Sequence, residues 1–438
     1  MATNETKIRL KASPEARLIL STGDQRHLDF HLKVDDRRAP ASPAASQRPP
    51  IRLALVLDRS GSMSRGKLDT AKMAALQVLE RLTDRDQAAV VVFDDRIDVL
   101  SSTVALTAPA REAIRARLGG VEARGSTALH EGWLTGAQAI ADDGNEHKGS
   151  PARVLLLTDG LANVGKTDPE EIATEAAQVH SRAGIATSTF GIGDDYDEGL
   201  LGPMAVAGGG QFHHLRQAAE IITTFSGELG ALLDTAATQV SLELEVGLGT
   251  EIALVSAYWL DKTSPNTMTV RIGDLPASEE RHVVVSATFP PGAVQTDREV
   301  RARVTWTDKA GVQQGEWQTV RFTYADAAAV EAQAHDAEVA HWAGLHLGAR
   351  ARQDASYLRR QGLAAQAGAR LRDTRDVLRR SARVAPQMAP IAAELDSLAE
   401  EMEKCAFSSH ELKEMTFRNQ NVRRGQRDLR DGDRSNKK

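Results

Sequence analysis

The sequence predicts an α/β protein in which a doubly wound, mainly parallel sheet is joined to an all-β sandwich domain and a C-terminal α-helical region. Between residues 51 and 236, short apolar runs such as IRLALVL and ARVLLL alternate with amphipathic stretches. That alternation is typical of a parallel sheet covered by helices on both faces. Between residues 237 and 325 the pattern changes to apolar and polar residues in strict alternation, which indicates half-buried strands.

Composition limits the class of protein. The 438 residues are 41% hydrophobic and 26% charged, enough for more than one core. A net charge of −6 makes nucleic acid an unfavourable partner except through the C-terminal tail. Cys405 is the single cysteine, so neither an intrachain disulfide nor a cysteine-based zinc site is expected. With neither a signal-peptide pattern nor a run of roughly 18 apolar residues, we expect a cytoplasmic protein without a membrane span.

The N-terminal residues 1–35 contain a strand pattern in which Leu28, Phe30, Leu32 and Val34 alternate with polar residues. So few strands cannot form a stable sheet alone. We therefore expect them to complete the sandwich of residues 237–325, with the α/β domain of residues 51–236 inserted between the two parts. Residues 36–50, rich in Pro and Ala, are predicted to be a linker.

Residues 326–417 are rich in Ala, Arg, Glu and Leu and predict two or three helices, broken near Pro386 and Pro390. Ser408 and Glu411 have the spacing of a capping box that would begin one more short helix. Residues 418–438 hold eight Lys and Arg against three Asp and predict a disordered basic tail. A solvated tail is the simpler interpretation, and a partner-binding arm is the alternative.

The stretch LVLDRSGSMS carries the strongest chemical signal. Asp58 ends a buried strand, and Ser60 and Ser62 follow in the loop. One carboxylate and two hydroxyls suit a hard cation, whereas zinc prefers His and Cys. Downstream, Thr127 in GSTALHEG opens a helix and Asp159 in LLLTDG ends another buried strand.

The positions of these residues in the fold predict that they converge. In an open parallel sheet, ligand-binding groups gather beyond the carboxyl ends of the strands, where the strand order reverses. The strands that end near Asp58 and Asp159 are expected to be the central pair. The oxygen atoms of Asp58, Ser60, Ser62, Thr127 and Asp159 would then share one site.

These residues resemble the von Willebrand factor type A (vWA) domain, a Rossmann-like fold whose metal-ion-dependent adhesion site combines D-x-S-x-S with a separate Thr and Asp. DRSGSMS, Thr127 in GSTAL and Asp159 in TDG match that pattern over roughly residues 50–236. The flanking segments resemble bacterial intracellular multidomain members less specifically. The resemblance implies that Ser60, Ser62 and Thr127 contact Mg²⁺, or Mn²⁺ or Ca²⁺, directly. Asp58 and Asp159 would act partly through water.

The function implied by the resemblance is a protein-binding scaffold or adaptor, not an enzyme. An acidic residue of a partner protein would complete the coordination of the metal. Bacterial relatives of this type act beside MoxR-type AAA+ ATPases or in kinase–phosphatase signalling sets, which are therefore the partner classes that the resemblance suggests.

Two enzyme classes are alternatives. A haloacid-dehalogenase-like Mg²⁺-dependent phosphohydrolase would use Asp58 as its nucleophile, but that family needs a second Asp as general acid where Ser60 stands. A serine hydrolase is disfavoured because neither serine lies in a G-x-S-x-G elbow. Each site residue taken alone is also a common capping residue.

Finally, the acidic loop of Asp194, Asp195, Asp197 and Glu198 is either a second cation site or a solvated loop.

Overall fold

The computed structural model describes residues 6–35, 49–141, 150–308, 310–382, 385–404 and 406–425. Most of the predicted linker, Cys405 and residues 426–438 lie outside the described residues. The N-terminal segment forms three strands: β1 (Lys7–Pro14), β2 (Leu18–Leu20) and β3 (Asp24–Asp35). After them the chain enters the α/β domain.

The α/β domain contains one six-stranded sheet in the order β6-β5-β4-β7-β8-β9. The strands are β4 (Arg52–Asp58), β5 (Gln87–Phe93), β6 (Ile97–Ala105), β7 (Ala152–Thr158), β8 (Ile185–Ile192) and β9 (Gly209–Leu215). The helices are α1 (Lys67–Arg81), α2 (Ala108–Gly119), α3 (Leu129–Ala141), α4 (Pro169–Ala183), α5 (Glu198–Ala207) and α6 (Glu220–Leu233). The doubly wound sheet is confirmed, with one antiparallel strand, β6, at its edge.

Both faces of this sheet are buried, which explains the continuous apolar runs. Leu53, Leu55 and Leu57 of β4 pack with α1, α2 and α6. The intervening Ala54 and Val56 pack on the opposite face with α3, α4 and α5. A strand between two helix layers has no solvent face, so period-two alternation is lost.

The sandwich has two sheets, with strand orders β1-β3-β14-β11 and β12-β13-β10-β15-β17-β2, and β16 pairs with β15. Its later strands are β10 (Thr235–Val246), β11 (Glu251–Leu254), β12 (Trp259–Ser264), β13 (Thr267–Pro276), β14 (Glu280–Phe289), β15 (Asp297–Asp308), β16 (Gly311–Gln314) and β17 (Gln318–Ala325). β3 pairs along the whole of β14, and β2 pairs with β17. The N-terminal strands thus belong to both sheets, and the α/β domain is inserted between β3 and β10.

The described residues after the sandwich form five helices: α7 (Ala327–Ala332), α8 (Ala337–Arg360), α9 (Ala364–Ser381), α10 (Met388–Lys404) and α11 (Ser409–Arg423). Pro386 lies between α9 and α10, but Pro390 does not break a helix. It is the third residue of α10, where the backbone N–H has no intrahelical partner to lose. The capping box of Ser408 and Glu411 is present at the start of α11.

The prediction that the chain is disordered from residue 418 is wrong for residues 418–425. α11 continues to Arg423, and Arg424 is buried. The Arg424 guanidinium donates to the carbonyl of Gly210 in β9. The amide of Ala257 donates to the carbonyl of Arg423 at 2.9 Å. These basic residues are ordered because other parts of the chain provide their hydrogen-bond partners, which composition does not reveal.

Candidate metal centre

The site lies where the strand order of the α/β sheet reverses. β4 and β7 are parallel neighbours at the centre of the sheet, paired from Arg52 opposite Ala152 to Leu57 opposite Leu157. From this pair the sheet extends through β5 on one side and β8 on the other. The predicted central pair is therefore confirmed, and its carboxyl ends carry Asp58 and Asp159.

Asp58 is fully buried, and both of its carboxylate oxygens accept hydrogen bonds. Oδ1 accepts from the backbone amide of Ser60 at 2.7 Å, and Oδ2 accepts from the Thr158 hydroxyl. Burial raises the pKa of Asp58 to about 6 against the opposing hydrogen bonds, and the nearby charge of Asp159 adds to the rise. A neighbouring cation would stabilise the charged form of a carboxylate in this environment.

The hydroxyl groups of Ser60 and Ser62 lie 3.0 Å apart. The Ser62 hydroxyl donates to Oδ1 of Asp159 at 2.6 Å, across 97 positions of sequence. The amide of Gly61, between the serines, donates to the carbonyl of Gly125 at 3.2 Å. The loop after β4 is therefore joined both to the end of β7 and to the loop before α3.

Thr127 is 3% exposed and is fixed by the loop that follows β7. Its amide donates to Oδ1 of Asn163 at 2.8 Å, and the Asn163 amide donates back to the Thr127 carbonyl at 3.2 Å. A Cβ atom added to Gly160 would lie 3.4 Å from the Ser62 hydroxyl and 3.5 Å from the Thr127 hydroxyl. Both hydroxyls thus flank Gly160, so the structure brings all five predicted residues together.

Lys67 is a residue of the site that sequence analysis missed. It is the first residue of α1, and its ammonium group forms an ion pair with Oδ2 of the fully buried Asp159. Both oxygens of Asp159 are therefore engaged by side chains. A lysine at the start of the helix that follows the D-x-S-x-S loop was the available signal.

A second missed group braces the loops around the site. Asp94, which is fully buried, accepts from Nε of Arg124 at 2.8 Å and lies 3.0 Å from Nε of Arg59. Burial raises the pKa of Asp94, but the hydrogen bond from Arg124 and the charge of Arg59 outweigh it and hold the pKa below its usual value. Arg59 belongs to the D-x-S-x-S loop and Arg124 precedes Thr127, so one carboxylate ties both loops to the end of β5.

The donor set fits a hard divalent cation. Two carboxylates and three hydroxyls provide only oxygen ligands, the type that Mg²⁺, Mn²⁺ and Ca²⁺ prefer. Their assignment as metal ligands stays a prediction. Within the described ranges no group of three or more His, Cys, Asp or Glu side chains is arranged to hold a metal ion, and the proposed site has only two carboxylates.

The other candidate residues have partners of their own. In the acidic loop, Asp197 caps α5 and the buried Glu198 lies 3.4 Å from Nζ of Lys413. Three histidines of the α/β domain also have protein partners: His130 contacts Glu175 at 2.6 Å, His213 contacts Glu228 at 2.8 Å, and His214 contacts the Tyr196 hydroxyl at 2.7 Å.

Comparison with known proteins agrees with this fold. Residues 53–227 match the family model of the von Willebrand factor type A domain. A solved structure titled von Willebrand factor type A from Catenulispora acidiphila superposes with a TM-score of 0.76 at 19% identity, covering 98% of this chain and 99% of that one. The chain therefore contains a vWA domain, and the whole architecture has a solved counterpart.

Two relatives extend the match beyond the vWA domain. The uncharacterized protein sll0103 of Synechocystis sp. is 28% identical over 286 residues, which cover 59% of this chain and 66% of the relative. The uncharacterized protein YfbK of Escherichia coli is 30% identical over 222 residues, covering 49% of this chain and 36% of the relative. The chain thus spans less than two thirds of each relative. Among the described residues, no helix has both the length and the apolar character needed to cross a membrane.

Proposed function

We propose that this protein is a cytoplasmic scaffold or adaptor that binds a divalent cation, preferably Mg²⁺, through Asp58, Ser60, Ser62, Thr127 and Asp159. The cation would capture an acidic residue of a partner protein. The observation that carries this proposal is the convergence of three hydroxyls and two buried carboxylates at the reversal of strand order.

The neutral hydroxyl ligands of the proposed site support the capture of a partner's carboxylate. Hydroxyl oxygens are neutral, so a cation that they hold stays electrophilic and favours a further carboxylate ligand. The two carboxylates offset the charge of a dication, and the ammonium group of Lys67 adds one positive charge beside Asp159. Asp58 and Asp159 are held by Thr158, Ser60, Ser62 and Lys67, which fixes the position of the oxygens before any cation arrives.

The residue that follows Asp58 in the loop speaks against the phosphohydrolase alternative. A nucleophilic Asp58 would need a neighbouring general acid. The residue two positions later is Ser60, whose hydroxyl is not an acid near neutral pH. We therefore propose that the protein is not an enzyme. MoxR-type AAA+ ATPases and kinase–phosphatase signalling sets remain the proposed partner classes.

A pull-down from lysate of the native organism tests the proposal. The bait is wild type in Mg²⁺, wild type in EDTA, and Asp58→Ala in Mg²⁺, with Asp69→Asn as the matched control. Asp69 is an exposed carboxylate of α1 outside the site. A partner retained by wild type and Asp69→Asn in Mg²⁺, and lost in the other two samples, supports the proposal. Equal retention in all four samples would overturn it.

An activity assay addresses the enzyme question separately. We expect the full chain in Mg²⁺ to leave a generic phosphomonoester such as p-nitrophenyl phosphate unhydrolysed. Hydrolysis that disappears in Asp58→Ala would instead establish the phosphohydrolase.

A further inference from the structure

An exposed apolar side chain lies beside the candidate metal centre and takes no part in the proposed coordination of the cation. Leu161 follows Asp159 and Gly160 in the loop after β7, and it is 57% exposed. A single exposed leucine is ordinary on a protein surface. Leu161 differs from such a residue because it lies two positions from a proposed metal ligand, next to a site that is proposed to bind a partner.

The loop that carries Leu161 is fixed to the site on both sides of this residue. On one side, the hydroxyls of Ser62 and Thr127 flank Gly160. On the other side, Asn163 exchanges two hydrogen bonds with the backbone of Thr127, at 2.8 Å and 3.2 Å. Consecutive Cα atoms are only about 3.8 Å apart, so Leu161 has a defined position close to these hydroxyls.

The fold itself does not need the Leu161 side chain. The next residue, Ala162, is partly buried and packs against the core formed with α3, α4 and α5, so the loop already has an apolar anchor. Leu161 belongs to neither of the two apolar cores of the vWA domain. Its side chain therefore gives up contact with water only when another molecule covers it, and that burial is favourable.

Short side chains surround the exposed part of the site. The exposed residues of the two loops that lie against each other there are Gly61, Ser62, Gly125 and Ser126. The amide of Gly61 donates to the carbonyl of Gly125 at 3.2 Å, which places the two loops side by side. The backbone of a partner can therefore come close to the site, where Leu161 is a large side chain within its reach.

Basic residues near the site offer a competing source of selectivity. Lys67 is already paired with Asp159, and Arg124 is paired with Asp94. Arg65 is exposed and has no ion pair among the described residues. Selection by Arg65 would favour a second acidic residue in the partner, whereas selection by Leu161 would favour an apolar residue.

We propose that Leu161 selects the partner of the metal centre. The acidic residue that binds the cation has a large apolar residue within two positions of it in sequence, and that residue packs on Leu161. This inference rests on the proposed function, because the cation must capture the acidic residue first. The lengths agree, since one or two residues of an extended partner span about 3–7 Å and Leu161 is two residues from Asp159.

Selection from a library of random seven-residue peptides displayed on phage tests the proposal. The full-length wild type and Leu161→Ser are each used in Mg²⁺ and, for reference, in EDTA. In Mg²⁺ we expect wild type to enrich peptides in which Asp or Glu has Leu, Ile, Met or Phe within two positions. Leu161→Ser should still enrich the acidic residue, but without the apolar neighbour.

A synthetic peptide with the sequence selected by wild type measures the size of the effect. Covering the exposed part of one leucine corresponds to about tenfold in affinity, so Leu161→Ser should bind this peptide about tenfold more weakly in Mg²⁺. Its affinity for Mg²⁺ itself should not change, because Leu161 provides no ligand. Leu248→Ser is the matched control. Leu248 is 74% exposed between β10 and β11 of the sandwich, so this variant should bind the peptide as wild type does.

Three results would overturn the role of Leu161, and they separate it from the proposed function. If wild type enriches no acidic residue in an Mg²⁺-dependent way, the proposed function fails and the role of Leu161 fails with it. If wild type and Leu161→Ser select the same peptides in Mg²⁺, the proposed function holds and Leu161 is not the selecting residue. Enrichment of a second acidic residue in place of the apolar one would assign the selection to Arg65 instead.

Discussion

The ammonium group of Lys67 pairs with Oδ2 of Asp159 while the Ser62 hydroxyl donates to Oδ1 of the same carboxylate at 2.6 Å. A univalent cation of the chain itself is therefore bound to one of the two buried carboxylates of the candidate metal centre. This pairing compensates the charge of Asp159 when the residue is removed from water. It also lowers the negative potential that a divalent cation meets at the site.

Lys67→Met is expected to tighten divalent-cation binding about tenfold, because it removes one positive charge a few ångströms from the site at a partly exposed position. Titration calorimetry with Mg²⁺ and Mn²⁺ measures the change. Lys72→Met, a matched loss of charge on the same helix, should have little effect. Weaker binding in Lys67→Met would instead assign Lys67 the role of holding Asp159 in place.

Thr127→Val is expected to weaken divalent-cation binding roughly 10–100-fold, the range found when the environment of a metal ligand is disrupted. Valine keeps the branched shape at this 3% exposed position but provides no oxygen. Thr127→Ser retains the hydroxyl and is the control, so its affinity should stay close to that of wild type. Equal affinities for Thr127→Val and wild type would remove Thr127 from the proposed ligand set.

Asp94→Asn is expected to destabilise the fold by about 1–3 kcal/mol, because it weakens the charge-assisted hydrogen bond from Arg124 and the ion pair with Arg59 at a buried position. Urea unfolding measures this loss. Divalent-cation affinity should also fall, since Arg59 and Arg124 hold the two loops that carry Ser60, Ser62 and Thr127. Asp98→Asn, which alters the exposed partner of Arg59, should change both quantities less. Unaltered stability in Asp94→Asn would show that the contacts of Asp94 with Arg59 and Arg124 contribute little to the free energy of unfolding.

The predictable part of the site follows from local pattern and sheet topology. Asp58 stands out because residues 53–57 are apolar without alternation, and parallel strands bring their carboxyl ends to one edge. Lys67 was missed because its partner lies 92 positions away, and its place at the start of α1 does not by itself indicate that pairing. β6 was missed because most of its residues are at least partly exposed, which weakens its apolar signal.

Acid should destabilise the protein through His346, a fully buried residue of α8 whose Nδ1 lies 2.9 Å from the Ser256 hydroxyl. Burial lowers the pKa of His346 from 6.5 to about 3, and the charges of Arg423 and His282 add to this effect. As pH falls below 6.5, His346 is protonated in the unfolded chain but stays neutral in the folded chain. The stabilisation is therefore fully present above 6.5 and is lost progressively towards pH 3.

His346→Asn tests this linkage, because asparagine retains an acceptor near the position of Nδ1 but does not titrate. The free energy of unfolding, measured by urea at neutral pH and about two units lower, should fall more steeply for wild type. The difference in slope approaches about 1.4 kcal/mol per pH unit, the value for one proton. His214, with its pKa lowered to about 4 mainly by burial, should keep part of the acid sensitivity in the variant. Identical slopes for the two proteins would mean that His346 is not protonated differently in the folded and unfolded states over this range.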